Sequence, residues 1–276
     1  MGHPQIAVFA RLADGNAKPT RRIEGQKTLL SRAQHGIAYD EIHDEFILPQ
    51  SMAQAVLTFR GGANGEEAPI RVIQGPLTQL TYVDRVAVDP VHNEIFVPLE
   101  DKGAVLVFPR EANGNVAPIR VLQGPETQLG ASSVVVDPVR DLLIVAGRGP
   151  RSEGRRGIYL RIFNRTDQGN VKPRAVIGGP KSGLHGLAGP LAFYPPKGLI
   201  IVPVAGPDIS NFTSDDFVGI WSVQDNGDVP PRWTIGGPQG VLKHLHGVAL
   251  VPKYKELIAT DKRINAVLTF SFPEIF

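Results

Sequence analysis

A period of about 50 residues runs through the chain and limits what it can fold into. An aromatic residue ends an apolar run at Phe9, Phe59, Phe108, Phe163 and Trp221. A proline stands ten residues after each, at Pro19, Pro69, Pro118, Pro173 and Pro231. A glycine follows six residues later, at Gly25, Gly75, Gly124, Gly179 and Gly237. Between aromatic and proline lies a Gly/Asn turn, as in Asn64-Gly65 and Asn113-Gly114. Fixed offsets of this kind mark a repeat architecture.

A second register interlocks with the first. Small apolar pivots Ala38, Ala87, Val135, Ala192 and Ala249 stand nine residues before second apolar runs centred on Ile47, Phe96, Ile144, Ile201 and Ile258. Turn residues such as Asp89-Pro90 and Asn93 separate the two runs, so they read as hairpins. Each repeat therefore holds four short strands, A to D. In the second repeat these are residues 85–89, 94–98, 104–108 and 118–124. The strands are too short and too turn-bounded to be helices. A leading Pro and an alternating Arg, as in Pro69-Ile70-Arg71, suit D to an outer edge.

Four-stranded antiparallel units repeated radially give an all-β propeller. Five A strands predict five blades in a single domain over residues 1–276. A sixth aromatic-ended strand leaves room for six. The chain opens with a C-like strand (residues 6–9) and a D strand (20–25) and finishes with an A, B, C set. Residues 20–25 are therefore expected to close the ring as the last D strand. Residues 6–9 either add to the closing blade or are the remnant of a sixth.

Composition agrees. Gly (30) and Pro (24) exclude long helices, and no apolar stretch approaches the ~20 residues of a membrane helix. A net charge of +2 lacks the basic footprint of a nucleic-acid binder. The absence of cysteine removes disulfides, thiolate ligands and a Cys nucleophile. It fits a bacterial protein, exported or cytoplasmic. The first residues carry no charged and apolar leader, so the chain is either not secreted or begins after a removed segment.

The tandem phrases Asn64-Gly65 with Pro69-Ile70-Arg71-Val72-Ile73-Gln74-Gly75-Pro76, and Asn113-Gly114 with Pro118-Ile119-Arg120-Val121-Leu122-Gln123-Gly124-Pro125, resemble NHL-type propeller repeats of bacterial proteins. The resemblance covers essentially the whole chain and implies the propeller fold. Relatives of that architecture include binding scaffolds, lactonase-like hydrolases and metal-dependent lyases. Strand B departs from the usual phrase by ending in Pro49, Pro98 and Pro203.

Alternating strand direction puts the D–A and B–C loops on one face. Two B–C loops on adjacent blades are longer by seven and eight residues, over residues 147–157 and 205–217. Function concentrates on such loops. Three residues before each pivot stand His35, Asp84, Ser132, Gly189 and His246. The phrase His-Gly-apolar-Ala begins at His35, His185 and His246. These three imidazoles are expected to meet at the channel and to hold one divalent ion (Zn, Fe or Cu), with His244 nearby. Such an ion would activate water or polarise a carbonyl. Otherwise no cofactor is expected, and the histidines bind neighbouring blades or a metal-free ligand. Asp84, Arg148 and Tyr159 are candidate ligand contacts, and Asp208, Asp215 and Asp216 lie in the next inserted loop. Three functional readings follow. The first is a propeller that binds a small molecule or protein through its loop-rich face. The second is a metal-dependent hydrolase or lyase, and the third is an assembly module using exposed strand edges.

Overall fold

The computed structural model describes residues 4–32, 35–152, 155–206, 215–237 and 239–276. It is an all-β propeller of five antiparallel blades, with short 3₁₀ turns as its helical elements. Blade one is β3 (Ala38–Asp40), β4 (Glu45–Gln50), β5 (Ala55–Arg60) and β6 (Arg71–Gln74). Blade two is β7 (Ala87–Asp89), β8 (Glu94–Leu99), β9 (Ala104–Pro109) and β10 (Arg120–Gln123). Blade three is β11 (Ala131–Asp137), β12 (Leu142–Ser152), β13 (Arg155–Asn164) and β14 (Ala175–Ile177). In blade four the inner strand is split into β15 (Gly186–Leu187) and β16 (Ala192–Tyr194), followed by β17 (Leu199–Ala205), β18 (Phe217–Ser222) and β19 (Trp233–Gly236). Blade five is β20 (Leu245–Val251), β21 (Glu256–Asp261) and β22 (Ala266–Ser271). Ahead of them, β1 (Gln5–Val8) and β2 (Arg21–Glu24) pair with each other as a separate two-stranded sheet. The inner strands touch from blade to blade, β3 to β7, β7 to β11, β11 to β16 and β16 to β20.

The hairpins are held by buried carboxylates. Asp89 Oδ1 accepts from the amides of Val91 (3.0 Å) and His92 (3.1 Å), and its Oδ2 meets His92 Nδ1 at 2.7 Å. Asp40 repeats this with Ile42 and His43. Asp137 does so with Val139 and Arg140. This is the Asx-turn chemistry that favours Asp at such positions.

The repeat phrase itself is a latch between blades. Gly114 donates its amide to Val72 O of the preceding blade at 2.6 Å, and its carbonyl accepts from Gln74 N at 3.1 Å. Asn113 Oδ1 accepts from Val72 N at 2.9 Å, and Asn115 Oδ1 from Leu77 N at 2.8 Å. Gly65, Gly169 and Gly227 make the same bridge. The glycine that ends each D strand explains itself here. Gly75 sits at φ 126°, and a Cβ there would lie 2.6 Å from the Asn115 side chain.

Aromatics at the ends of the C strands fill the wedges between blades. Phe59, Phe108, Phe163 and Trp221 are completely buried. Phe270 of blade five is half-buried, and Phe9 is 48% exposed.

That contrast marks a difference from the expected closure. Residues 20–25 do form a D-type strand, but β2 pairs with β1, and among the described residues β22 pairs with β21 alone. β1 and β2 are joined by residues 9–20, so this local pairing costs less closure entropy than reaching the distant edge of β22. An ion-pair ladder gives the position of the β1–β2 sheet. At three C-strand aromatics, Phe9, Phe108 and Phe163, the residue two places on is an arginine that reaches the glutamate opening strand B of the preceding blade. Arg110 bonds Glu45 at 2.8 Å and Arg165 bonds Glu94 at 2.6 Å. Arg11 bonds Glu256 of blade five at 2.8 Å and stacks 3.8 Å over the Tyr254 ring. Ile23 of β2 in turn bridges Gly65 of blade one. So β1–β2 stands after blade five and before blade one, as the outer half of a further blade position.

Candidate functional site

The D–A linkers run over one face and turn into the inner strands, so the residues just before each pivot border the centre of the ring. Two of the expected imidazoles and the expected carboxylate meet there. His35 Nδ1 lies 2.6 Å from Asp84 Oδ1, and both side chains are about one third exposed. The His35 and His246 rings stand edge to face with centroids 5.9 Å apart. Blades one, two and five thus each give one side chain to a common rim.

Local structure aims each group. Ser132 and His246 both sit at register shifts where β11 and β20 depart from regular pairing. Such bulges re-aim a side chain next to a site. The His246 backbone carbonyl approaches Gly189 of blade four so closely that a Cβ there would lie 2.2 Å away. Ser51 Oγ, fully buried, lies 2.9 Å from Val83 O and 3.1 Å from Asp84 Oδ1. It supports the carboxylate. The order Ser–Asp–His is not that of a nucleophilic triad, in which the imidazole touches the hydroxyl.

The electrostatics of the rim are mixed. Burial pushes the His246 imidazole below its ordinary pKa, helped by Lys262, His35 and Arg85, against a hydrogen bond to the Ala188 carbonyl. Arg85 is mostly buried and its pKa is lowered by that burial, which Asp84 and Glu100 partly offset. It donates to Ser132 O at 2.8 Å, and its buried Nε has no partner among the described residues. Ser132 Oγ donates to Glu100 at 2.9 Å. Lys262 donates its amide to the His244 carbonyl at 3.0 Å. Asp261, whose own burial would raise its pKa, is held below the carboxylate range by the amides of His244, Lys243, Ile264 and Arg263.

The other predicted residues lie differently. His185 is exposed, one residue ahead of β15. Gly186 pairs with Ala205, four residues past Ile201, whereas Gly247 pairs with Thr260, two past Ile258. The third His-Gly phrase is therefore displaced by two strand positions, roughly 7 Å toward the loops. Among the described residues no three His, Asp or Glu side chains are grouped so as to hold a metal.

The inserted segment of blade three prolongs the β12–β13 hairpin. Arg148 there bonds Glu100 at 3.0 Å. The Tyr159 ring covers Gly149 and Gly178, where any Cβ would collide with it. Asp216 is buried and accepts from Gly206 N at 2.9 Å and Leu245 N at 2.8 Å, tying blade four to blade five. Asp208 lies outside the described residues.

Sequence reasoning missed Arg85, Glu100, Ser51 and Arg161. Arg161 is fully buried, donates to the carbonyls of Gly147 (3.3 Å) and Arg148 (3.1 Å), and is pushed by burial down to about 10. Arg85 had a usable signal, since it follows Asp84 two residues before the pivot. Glu100 and Ser51 open B–C loops on the same face.

Among the described residues no helix is long and apolar enough to cross a membrane. No protein-family model matches the chain, and a search of curated proteins finds no similar sequence. The NHL resemblance thus extends to the propeller architecture and no finer. Among solved structures, the chain is similar to Kuenenia stuttgartiensis hydrazine synthase. The TM-score is 0.62 at 12% identity, over 94% of this chain and 68% of that one. At that identity the likeness concerns the fold alone.

Proposed function

We propose that the protein binds a small polar ligand with an anionic group at the rim formed by His35, Asp84, Arg85 and His246. The observation that supports this most is the meeting of His35, Asp84 and His246 from three blades. Asp84 fixes the ring of His35 through Nδ1, and this reading assigns Nε2 to the ligand. Arg85 adds a mostly buried cation next to Asp84, and a guanidinium suits a carboxylate or phosphate. Arg148 and Tyr159 stand on the neighbouring hairpin, where they border a larger ligand. The test is a titration of ¹⁵N-labelled protein with simple carboxylates, sugar acids and inorganic phosphate. Saturable shifts at Gly36, Arg85 and Gly247 are expected, weakened at least tenfold in Arg85→Gln or His246→Gln, about the loss of one charge-assisted hydrogen bond. Binding that is equal in both variants, or no saturable shift with any of these anions, contradicts the proposal.

A divalent ion is the second reading. His35 is oriented by a carboxylate and His246 by a backbone carbonyl, the outer contacts that commonly fix metal-binding imidazoles. On this reading two protein nitrogens bind the ion, and His185 joins only if the β15 loop moves inward. Elemental analysis of protein equilibrated with zinc, iron or copper should find one ion per chain, lost in His35→Ala. Metal content unchanged by that substitution removes this reading.

A further inference from the structure

The half-blade leaves a gap. Ile47, Phe96, Ile144 and Ile201, which face the pivots in strand B, are all completely buried. Their counterpart Ile258 in blade five is only half-buried. Val86, Val134 and Leu191, which precede the pivots, are 7%, 3% and 7% exposed, while Ile37 of blade one is 53% exposed. Val267 of β22 is 66% exposed. In every other blade these positions pack on the inner strands of a neighbour. Here, among the described residues, the neighbour consists of β1 and β2 only, and β1 has no second partner. Nor does β1 carry a charge or a proline, the usual guards of a strand edge.

The charge at the gap specifies an occupant. In blade two the D-strand arginine, Arg120, binds Glu94 at the head of strand B through two bonds of 2.7 Å. Arg71 binds Glu45 at the head of strand B in blade one through one bond. Arg21 stands at the equivalent place, two residues after Pro19, with no B strand in its sheet. It donates to the carbonyls of Gly61 and Ala63 at 2.6 Å each. An added strand headed by a glutamate would bring a carboxylate to this guanidinium.

We propose that the gap between blade five and blade one docks a β-hairpin of a partner protein. One strand of the hairpin adds to the free edge of β1, its leading glutamate pairs with Arg21, and its apolar side chains cover Ile37 and Ile258. This is strand addition, with main-chain bonds supplying affinity and the side-chain pockets supplying choice.

The probe is a cyclised peptide of residues 85–99 of this chain, the inner hairpin of blade two with Glu94 at the head of its second strand. Added to the whole protein, it should bind one to one, with amide shifts in β1 and at Ile37 and Ile258. A peptide carrying Glu94→Gln should bind about tenfold more weakly. Ile37→Lys in the protein should weaken binding at least as much while leaving its melting temperature unchanged, because that side chain is exposed. A second arm fuses the same hairpin to the C-terminus through a Gly/Ser linker and reads hydrogen exchange, which should slow across β1. No binding with no slowing in the fusion overturns the proposal, as does binding indifferent to Ile37→Lys. Self-association of the protein alone that Ile37→Lys abolishes also overturns it and assigns the gap to a second copy.

Discussion

The surroundings of His246 disfavour its charged form, and that has a consequence for stability. Burial and the charges of Lys262, His35 and Arg85 lower its folded-state pKa, while the unfolded chain titrates near the ordinary 6.5. As pH falls below 6.5 the unfolded state takes up the proton first. Stability from this group is therefore complete above 6.5 and is lost as pH drops toward the folded midpoint. Denaturant melts between pH 7.5 and 5 should show this slope in the native protein and a shallower one in His246→Gln. Equal slopes would mean that the imidazole titrates alike in both states. Asp84 contributes geometry, since its 2.6 Å contact with His35 Nδ1 fixes that ring's orientation.

At the scale of elements, the D-strand glycines and the C–D loops form the joints of the molecule. Gly75 combines a left-handed backbone with a side chain of the next blade pressed where its Cβ would be. Gly75→Ala should destabilise by about 1–3 kcal/mol. Part of that loss should be absent in the Asn115→Ala background, because the two positions share one contact. Gly65 also has positive φ but nothing near its Cβ, so Gly65→Asn should be close to neutral. Additive losses at 75 and 115 would contradict the latch. The sequence spacing alone read these glycines and asparagines as turns. That they tie one blade to the next is a relation through space between repeats, which offsets along one repeat do not carry. Strand types and five inner strands were legible because short apolar runs at fixed offsets and the turn residues bounding them are local signals. The pairing of β2 was not, because its D pattern is equally satisfied by β1 and by β22. Counting back from the pivots placed His35, Asp84 and His246 together. It also brought His185 to the same place, whereas the structure displaces that residue because residues 188–191 split the inner strand of blade four into two pieces with different register.

Across the whole molecule, the inner strands pass contact from blade one through blade five, and the circuit is finished by an outer half-blade tied through Arg11 to Glu256 and through Ile23 to Gly65. The rim depends on that completion, since His35 and His246 belong to the first and last full inner strands. The most direct measurement is an NMR search for contacts between the two imidazole rings in selectively labelled protein. A cross-peak between ring protons of His35 and His246, lost in His246→Gln and retained in Arg148→Ala, is the predicted result. Rings with no mutual contact and solvent-like shifts would show that the first and fifth blades do not meet, and the rim would not exist.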